Sequence, residues 1–296
     1  MRELHELHVG KAIHDEGVSL FPLWVGTPAV PGHDWSPGAV SFSEHSGGAT
    51  VATLEARNAS ERPAIALEGD LAEGGLQHRM VARSLVLAPR SFSPVSALCV
   101  EQGRWHGAEG FARRGRRATA SVRAASRQGV DAQSRVWQSI HGLDQAFTGS
   151  GTSSLLHHLD APAAPLPRVL DGQRGVVIGI GGRILGAELY GSSAGLRSRW
   201  RGIVEGARLD ARRRSWAPTA AETARAFARI VEQLSMSPVD EAGIAVAVEG
   251  ARGSVRGAGI ATPSRGRPVG FAADPDRLLH FALTDHSHPL LVGGTP

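Results

Sequence analysis

Between residues 68 and 105 the chain gathers carboxylates, amides and guanidiniums at the ends of apolar runs. They are Glu68-Gly69-Asp70, then Gln77-His78-Arg79, then Glu101-Gln102-Gly103-Arg104-Trp105. In an extended chain Glu68 and Asp70 project to one side, about 7 Å apart. Gly69 between them carries no side chain, so a ligand or a second backbone can approach closely. Glu101 closes a later apolar run; if that run neighbours the first, the three acids meet at one end of a sheet. Carboxylates in unlike surroundings can divide acid and base work, which makes Glu68, Asp70 and Glu101 the catalytic candidates. Gln77, Arg79, Gln102 and Arg104 are the ligand-binding candidates, because amides and guanidinium forks hold hydroxyls and phosphates. Trp105 adds a flat apolar face for a ring. The same residues also suit a corner built for packing, in which Asp70 or Glu101 pairs with Arg79 or Arg104.

Rival motifs are weaker. The sole lysine sits in Gly10-Lys11-Ala12, so no phosphate-binding Gly-Lys-Ser/Thr loop exists. Gly179-Ile180-Gly181-Gly182 lacks the third glycine of a dinucleotide fingerprint and reads as a hairpin. His5-Glu6-Leu7-His8 is one residue short of the helical zinc motif, and no metal or cofactor is expected. Gly191-Ser192-Ser193-Ala194-Gly195 fits a nucleophile elbow with Ser193 as nucleophile, and Asp274, Asp276, His280 and His286 lie downstream to complete a triad. Its strand, however, reads as half of a hairpin, and Ser192 and Ser193 suit helix caps. Cys99 sits mid-run, which predicts a buried, inert thiol.

The elements that must position these groups are short strands first. Val18–Val25, Val40–Ser43, Ala49–Ala56, Pro63–Glu68, Met80–Ala88 and Val95–Glu101 are apolar runs separated by turn residues. Their spacing leaves no room for helical crossovers, which predicts antiparallel pairing in a sandwich- or barrel-like half. Gly107–Arg117 reads as a flexible or ligand-covering loop. Helices are predicted over Ala118–Arg127 and Gln133–Phe147, and a Pro-rich linker over Ala161–Pro167. A hairpin turning on Gly181-Gly182 follows, with helices from about Ala194 and from Thr219, where Thr219 and Glu222 suit a capping box. Gly243–Val248, Ser254–Ile260, Val269–Phe271 and Leu278–Leu283 read as closing strands. The fold class is α+β: an antiparallel sandwich- or barrel-like first half, central helices, then hairpin, two helices and antiparallel strands. Two domains are expected, 1–160 carrying the candidate site and 168–296, with a single intertwined core as the alternative.

Composition narrows the setting. The hydrophobic fraction of 42% suffices for a core, but aromatics at 5% leave it to aliphatic residues. No apolar run approaches the roughly 20 residues that span a bilayer. One cysteine allows no internal disulfide, and a cytoplasmic setting is the simplest expectation. Arginines cluster at 113–127 and 197–214; they read either as a solvated helix face or as guanidinium forks for phosphate or nucleic acid.

Val100-Glu101-Gln102-Gly103-Arg104-Trp105, with the block from Val176 to Gly186 and Glu188-Leu189-Tyr190, resembles a family named as the domain associated with ADP-ribosylglycohydrolases and rhodanese-phosphatases. The resemblance covers about Val9 to Asp210, and more loosely the rest. Two positions depart from its pattern: the acids stand as Glu68-Gly69-Asp70, and Gln-Asn-Arg becomes Gln77-His78-Arg79. The resemblance implies a place in NAD and ADP-ribose metabolism without fixing a reaction. The expected function is recognition or processing of an ADP-ribose- or NAD-type nucleotide, with a protein partner or a second copy of the chain as further company. The alternative is a non-enzymatic module that binds protein or nucleic acid through its arginine-rich faces.

Overall fold

The computed structural model describes residues 6–44, 50–107, 110–127, 131–160, 164–264 and 275–292. In chain order the strands begin with β1 (Leu7–Val9), β2 (Ile13–Asp15) and β3 (Val18–Val25). Eight short strands follow: β4 (Ser41–Glu44), β5 (Thr53–Asn58), β6 (Ala64–Ala66), β7 (Leu71–Gly74), β8 (Arg79–Val81), β9 (Leu85–Leu87), β10 (Ser91–Cys99) and β11 (Phe111–Ala112). Helices α1 (Ala120–Ser126), α2 (Ala132–Ala146) and α3 (Leu155–Leu159) come next. Then come the hairpin β12 (Gly175–Ile180) and β13 (Arg183–Tyr190), and helices α4 (Ser193–Ala211) and α5 (Ala221–Glu232). The meander β14 (Met236–Ala242), β15 (Ala245–Arg252), β16 (Val255–Pro263) and β17 (Pro275–Asp285) ends at α6 (Pro289–Val292). The fold is α+β with antiparallel sheets.

The chain divides into two compact units. One includes Met1–Gly32, Leu166–Trp200 and Asp210–Gly294; the other is built on His33–Pro165 and Arg201–Leu209. In the first unit the sheet runs β1-β3-β12-β13-β17-β16-β15-β14, with β2 paired to β3. The hairpin between β12 and β13 turns on Gly181 (φ 57°) and Gly182 (φ 79°), two successive positive φ values that only glycine adopts freely. At the far edge, β14 has a register shift between Pro238 and Asp240. Helix α5 buries Ala224, Phe227, Ala228 and Val231, an i, i+3, i+4, i+7 stripe, against Phe21, Leu189, Val246 and Phe281. Ile230 on the same helix is exposed. The Thr219–Glu222 capping box is also absent: Ala220 occupies the cap, and the Thr219 N–H donates to Ser19 Oγ at 3.1 Å.

In the second unit six strands pair in the order β11-β7-β8-β10-β5-β4. An isolated antiparallel bridge, Ser43 to Gly110, returns β4 to the start of β11, so the path nearly closes into a small barrel. Period-two alternation along β10 buries Val95, Ala97 and Cys99 and leaves Ser96 exposed. Those residues fill the interior with Phe42, Leu54, Ala56, Ala72 and Val81, and the separate β6–β9 pair adds Ala64, Ala66, Leu85 and Leu87. The opposite face presents Leu71, Met80 and Val100 to Val122, Val136, Ile140 and Leu143 of α1 and α2. The run expected as one strand over Met80–Ala88 is two strands, β8 and β9, in different sheets. The expected strand at Val269–Phe271 lies outside the described residues.

The solvated-face reading of the arginines fails for many of them. Arg117 and Arg199 are fully buried, and Arg208 of α4 donates to the carbonyls of Ala164 and Pro165 at 2.9 and 3.0 Å. Those contacts fix the described end of the stretch expected as a linker. Among the described residues, no helix is long and apolar enough to cross a membrane.

Close strand approach is enforced at Gly259, where a Cβ would lie 2.0 Å from the His280 carbonyl oxygen and 2.8 Å from the Phe281 Cα. Gly259→Ala must push β16 and β17 apart; a loss of about 2–4 kcal/mol is expected in urea denaturation. Wild-type stability in this variant would contradict the strand spacing.

Candidate functional site

The acids are set by turn and register. Leu67–Asp70 is a four-residue turn closed by Asp70 N–H to the Leu67 carbonyl at 2.9 Å, with Gly69 at φ 83°. A Cβ on Gly69 would run into Arg123 Cδ at 2.4 Å. Residues 116–118 then run beside 69–71 as a fragment of strand, bridging Asp70 to Arg117. That segment was expected to be a flexible loop. Its described part is a clip instead, because its arginines meet Asp70 on the turn and Glu73 on β7.

Glu68 accepts two hydrogen bonds from Arg127, at 2.8 and 2.5 Å. Asp70, 1% exposed, accepts from Arg113 Nη2 at 2.7 Å and lies 3.4 Å from Arg117 Nε. Glu73 on β7 takes both prongs of Arg116, at 2.9 and 2.6 Å, and Arg116 also reaches Asp160. These partners hold the Arg116 guanidinium firmly in its charged form, raising its pKa, with the Glu73 hydrogen bonds the largest cause.

Glu101 sits elsewhere. Asp70 pairs with Val81 at one end of β8, whereas the Glu101 carboxylate accepts the His78 N–H beyond the other end, at 3.2 Å. Three residues of strand separate the two rungs, about 10 Å. The predicted meeting of Glu68, Asp70 and Glu101 at one sheet end therefore does not occur; the register of β7 on β8 puts them at opposite ends. Glu101 also accepts from Arg104 Nε and the Thr152 hydroxyl, both at 2.8 Å. Burial pushes its carboxyl up, but the Thr152, His78 and Arg104 contacts outweigh that and hold it below the usual carboxylate range. Burial lowers His78 below the ordinary histidine range, against the Glu101 charge and with the Arg104 charge adding to the effect.

The other candidates gather at the Glu101 end. The Gln77 amide bridges Cys99 Sγ (2.9 Å) and the Gln102 carbonyl (3.1 Å). Arg104 spends its fork on the carbonyls of Gly74, Gly75 and His106. The Gln102 side chain is exposed. Cys99 is buried and its thiol is pushed up to about 11 by burial, as an inert thiol requires.

Arg79 lacks the two-pronged carboxylate partner that Arg116 and Arg127 have. It is fully buried, on the interior face of β8 two residues from Val81. Nη1 donates to the Gln77 carbonyl at 3.0 Å and Nε to the Val51 carbonyl at 3.3 Å. Its planar group lies 5.4 Å from the ring centre of Trp105, which is 49% exposed. Nη2 faces Glu44 Oε1 at 3.8 Å, too long for a hydrogen bond. Among the described residues, neither Nη2 nor either Glu44 oxygen has a hydrogen-bond partner, although all three atoms are buried. Glu44 escaped sequence reading. Its one signal was a carboxylate ending a strand, Ser41–Glu44, whose alternate residue Phe42 faces the core.

The nucleophile elbow is not built around Ser193. Strand β13 is antiparallel to both neighbours, and Ser192 Oγ accepts the Gly195 N–H at 3.1 Å as a cap. His280 hydrogen-bonds Glu188 at 2.7 Å inside the sheet. Asp274 lies outside the described residues. Among the described residues, no three His, Cys, Asp or Glu side chains gather as a metal site.

With this geometry in place, comparison with known families is informative. The model of the ARG and Rhodanese-Phosphatase-superfamily-associated Protein domain matches residues 6–281. The chain belongs to that family. The family match spans both compact units, so the barrel mouth and the β12–β13 hairpin both fall within it. No curated protein and no solved structure matches the chain.

Two outcomes follow from the ion pairs. Asp70→Asn leaves two buried guanidiniums facing a neutral amide; a loss of about 3–5 kcal/mol is expected from urea midpoints, and a loss below 1 kcal/mol would show the pairs to be dispensable. Acid should also destabilise the protein in two stages. The neutral His78 ring contributes stability above its unfolded value near 6.5, lost as pH falls toward the lower folded value. Ionised Glu101 contributes above about 4.3, lost as pH falls through its depressed folded value. His78→Gln should flatten the stability profile just below the unfolded histidine value near pH 6.5; an unchanged slope there would remove His78 from the account.

Proposed function

We propose that the second unit recognises an ADP-ribose-type nucleotide at the mouth of its small barrel, by binding rather than turnover. The observation that carries this reading is the buried Arg79 guanidinium beneath the half-exposed Trp105 indole, with Arg79 Nη2 and the Glu44 carboxylate facing each other without a hydrogen bond. Barrel mouths are common ligand sites. A buried guanidinium nitrogen left without an acceptor is costly. A hydroxyl oxygen about 2.8 Å from each atom bridges that 3.8 Å gap, accepting from Arg79 and donating to Glu44. A sugar hydroxyl is both donor and acceptor, and a base or ribose ring fits the open face of Trp105. The family's association with ADP-ribosylglycohydrolases agrees with that ligand class.

Binding is favoured over catalysis by the state of the acids. Glu68 and Asp70 are tied into ion pairs, and Glu101 is held ionised by three hydrogen-bond donors. A general acid near neutral pH needs a raised carboxyl, and Glu101 is displaced the other way.

Thermal shift with ADP-ribose, NAD, AMP and ribose phosphate tests the reading. ADP-ribose at 100 times its Kd should raise stability by about 2.7 kcal/mol. Trp105→Ala and Glu44→Gln should each weaken that response several-fold while the unliganded protein stays folded. No shift with any of the four, or an undiminished shift in Trp105→Ala, would overturn the site. Steady release of product from NAD or ADP-ribose would replace binding with catalysis.

A further inference from the structure

A second cluster lies in the first unit and shares no residue with the barrel mouth. The Gly181-Gly182 turn packs against the segment after α4: the Gly182 N–H donates to the Ala217 carbonyl at 2.9 Å. The Thr219 N–H is tied to Ser19 Oγ at 3.1 Å, and the Trp216 indole meets His14 edge-on with ring centres 5.5 Å apart. Arg214 is brought to the same turn, since a Cβ on Gly181 would lie 3.7 Å from Arg214 Cβ. The buried His288 ring, bonded to the Ile180 carbonyl at 3.1 Å, is lowered by burial and also by the charges of Arg183 and Arg214, which locates both guanidiniums near it.

The chemistry of this cluster is unbalanced. Arg183 and Arg214 are exposed and Arg213 is half-buried. Among the described residues, none of the three has an ion-pair partner. The nearby acids are Asp210, which is fully buried, and Asp15 and Glu16 on the β2–β3 turn, whose Gly17 approaches Ala211. Trp216 is 52% exposed, and the exposed polar residues Arg214 and Ser215 precede it. The backbone that carries it is pinned after Trp216 by the two hydrogen bonds above and before it by the Arg214 N–H to the Ala211 carbonyl at 3.0 Å.

We propose that this patch binds single-stranded nucleic acid, with Trp216 stacking one base and Arg183, Arg213 and Arg214 neutralising adjacent phosphates. An exposed indole beside unpaired guanidiniums matches a stacking platform with an electrostatic track. A duplex offers no free base face to the indole, and three guanidiniums without ion-pair partners among the described residues suit a polyanion. The ligand is therefore a strand with unstacked bases, read without sequence preference.

The test is fluorescence anisotropy of a labelled 12-residue oligouridine with the whole chain at 50 and 200 mM salt. Binding should weaken with salt. Trp216→Ala should weaken it at least about 5-fold, the lower end for loss of one base stack, and Trp216→Phe should restore most of it. The Arg183→Ala/Arg214→Ala double variant should lower the slope of log K against log salt by about 1.4, two phosphate contacts on a single strand. Melting temperatures close to wild type certify that the variants are folded. Absence of binding, equal binding by Trp216→Ala, or equally tight binding of a polyglutamate peptide would overturn the proposal. So would loss of binding in Trp105→Ala, which would assign the oligonucleotide to the barrel mouth instead.

Discussion

Charge burial is the constraint that the small barrel obeys. Its turn and strands carry Glu68, Asp70 and Glu73 at 7%, 1% and 7% exposure, and an ionised carboxylate at such depth is untenable alone. Arg127 answers Glu68, and a segment rich in arginine, 113–117, lies along Asp70 and Glu73 and hydrogen-bonds its backbone beside residues 69–71. Strand β11, the Ser43–Gly110 bridge that completes the ring and the entry into α1 flank or follow that segment directly. Such pairs add little net stability over an apolar core of equal volume. Their effect is on choice: other arrangements of this segment strand several charges at once, so one arrangement stands well apart from its competitors.

Arg79 shows what the same chemistry looks like when it is incomplete. It has the burial of its neighbours without their bidentate partner, since Glu44 stops at 3.8 Å. Around it Glu68 and Glu73 each take two guanidinium hydrogen bonds, so the gap at Arg79 has a particular place. Glu68 and Glu73 are held by both prongs of an arginine and serve architecture, whereas the Arg79–Glu44 pair, which makes no hydrogen bond between its members, lies beneath the indole that reaches solvent.

Much of the fold was legible because local chemistry dictates it. The Gly181-Gly182 hairpin follows from the positive φ its turn demands, and helices α2 and α4 follow from the spacing of their apolar residues. The alternation Val95, Ala97, Cys99 follows from the pleat. Pairing between distant segments was not legible. Strand β3 was visible as an apolar run, but its partner β12 lies some 150 residues later, and nothing in either run names the other. The site suffered from the same blindness: Glu68, Asp70 and Glu101 read as acids at the ends of apolar runs, yet the register of three-residue β8 decides which end, and register is a property of pairs. Glu44 was missed because its meaning comes from Arg79 across the barrel. The Thr219 cap failed for a related reason, since a tertiary partner, Ser19, shares that position.

The outermost strand of the larger sheet carries a consequence of its own. In β14, Pro238 offers no N–H, the register slips between Pro238 and Asp240, and Asp240 and Glu241 follow at once. A sheet border with ragged, charged and donor-poor rungs is a bad template for strand addition. Polymerisation through that border is blocked by the backbone itself, and the protein keeps its open sheet without the fibril hazard that a smooth border would bring.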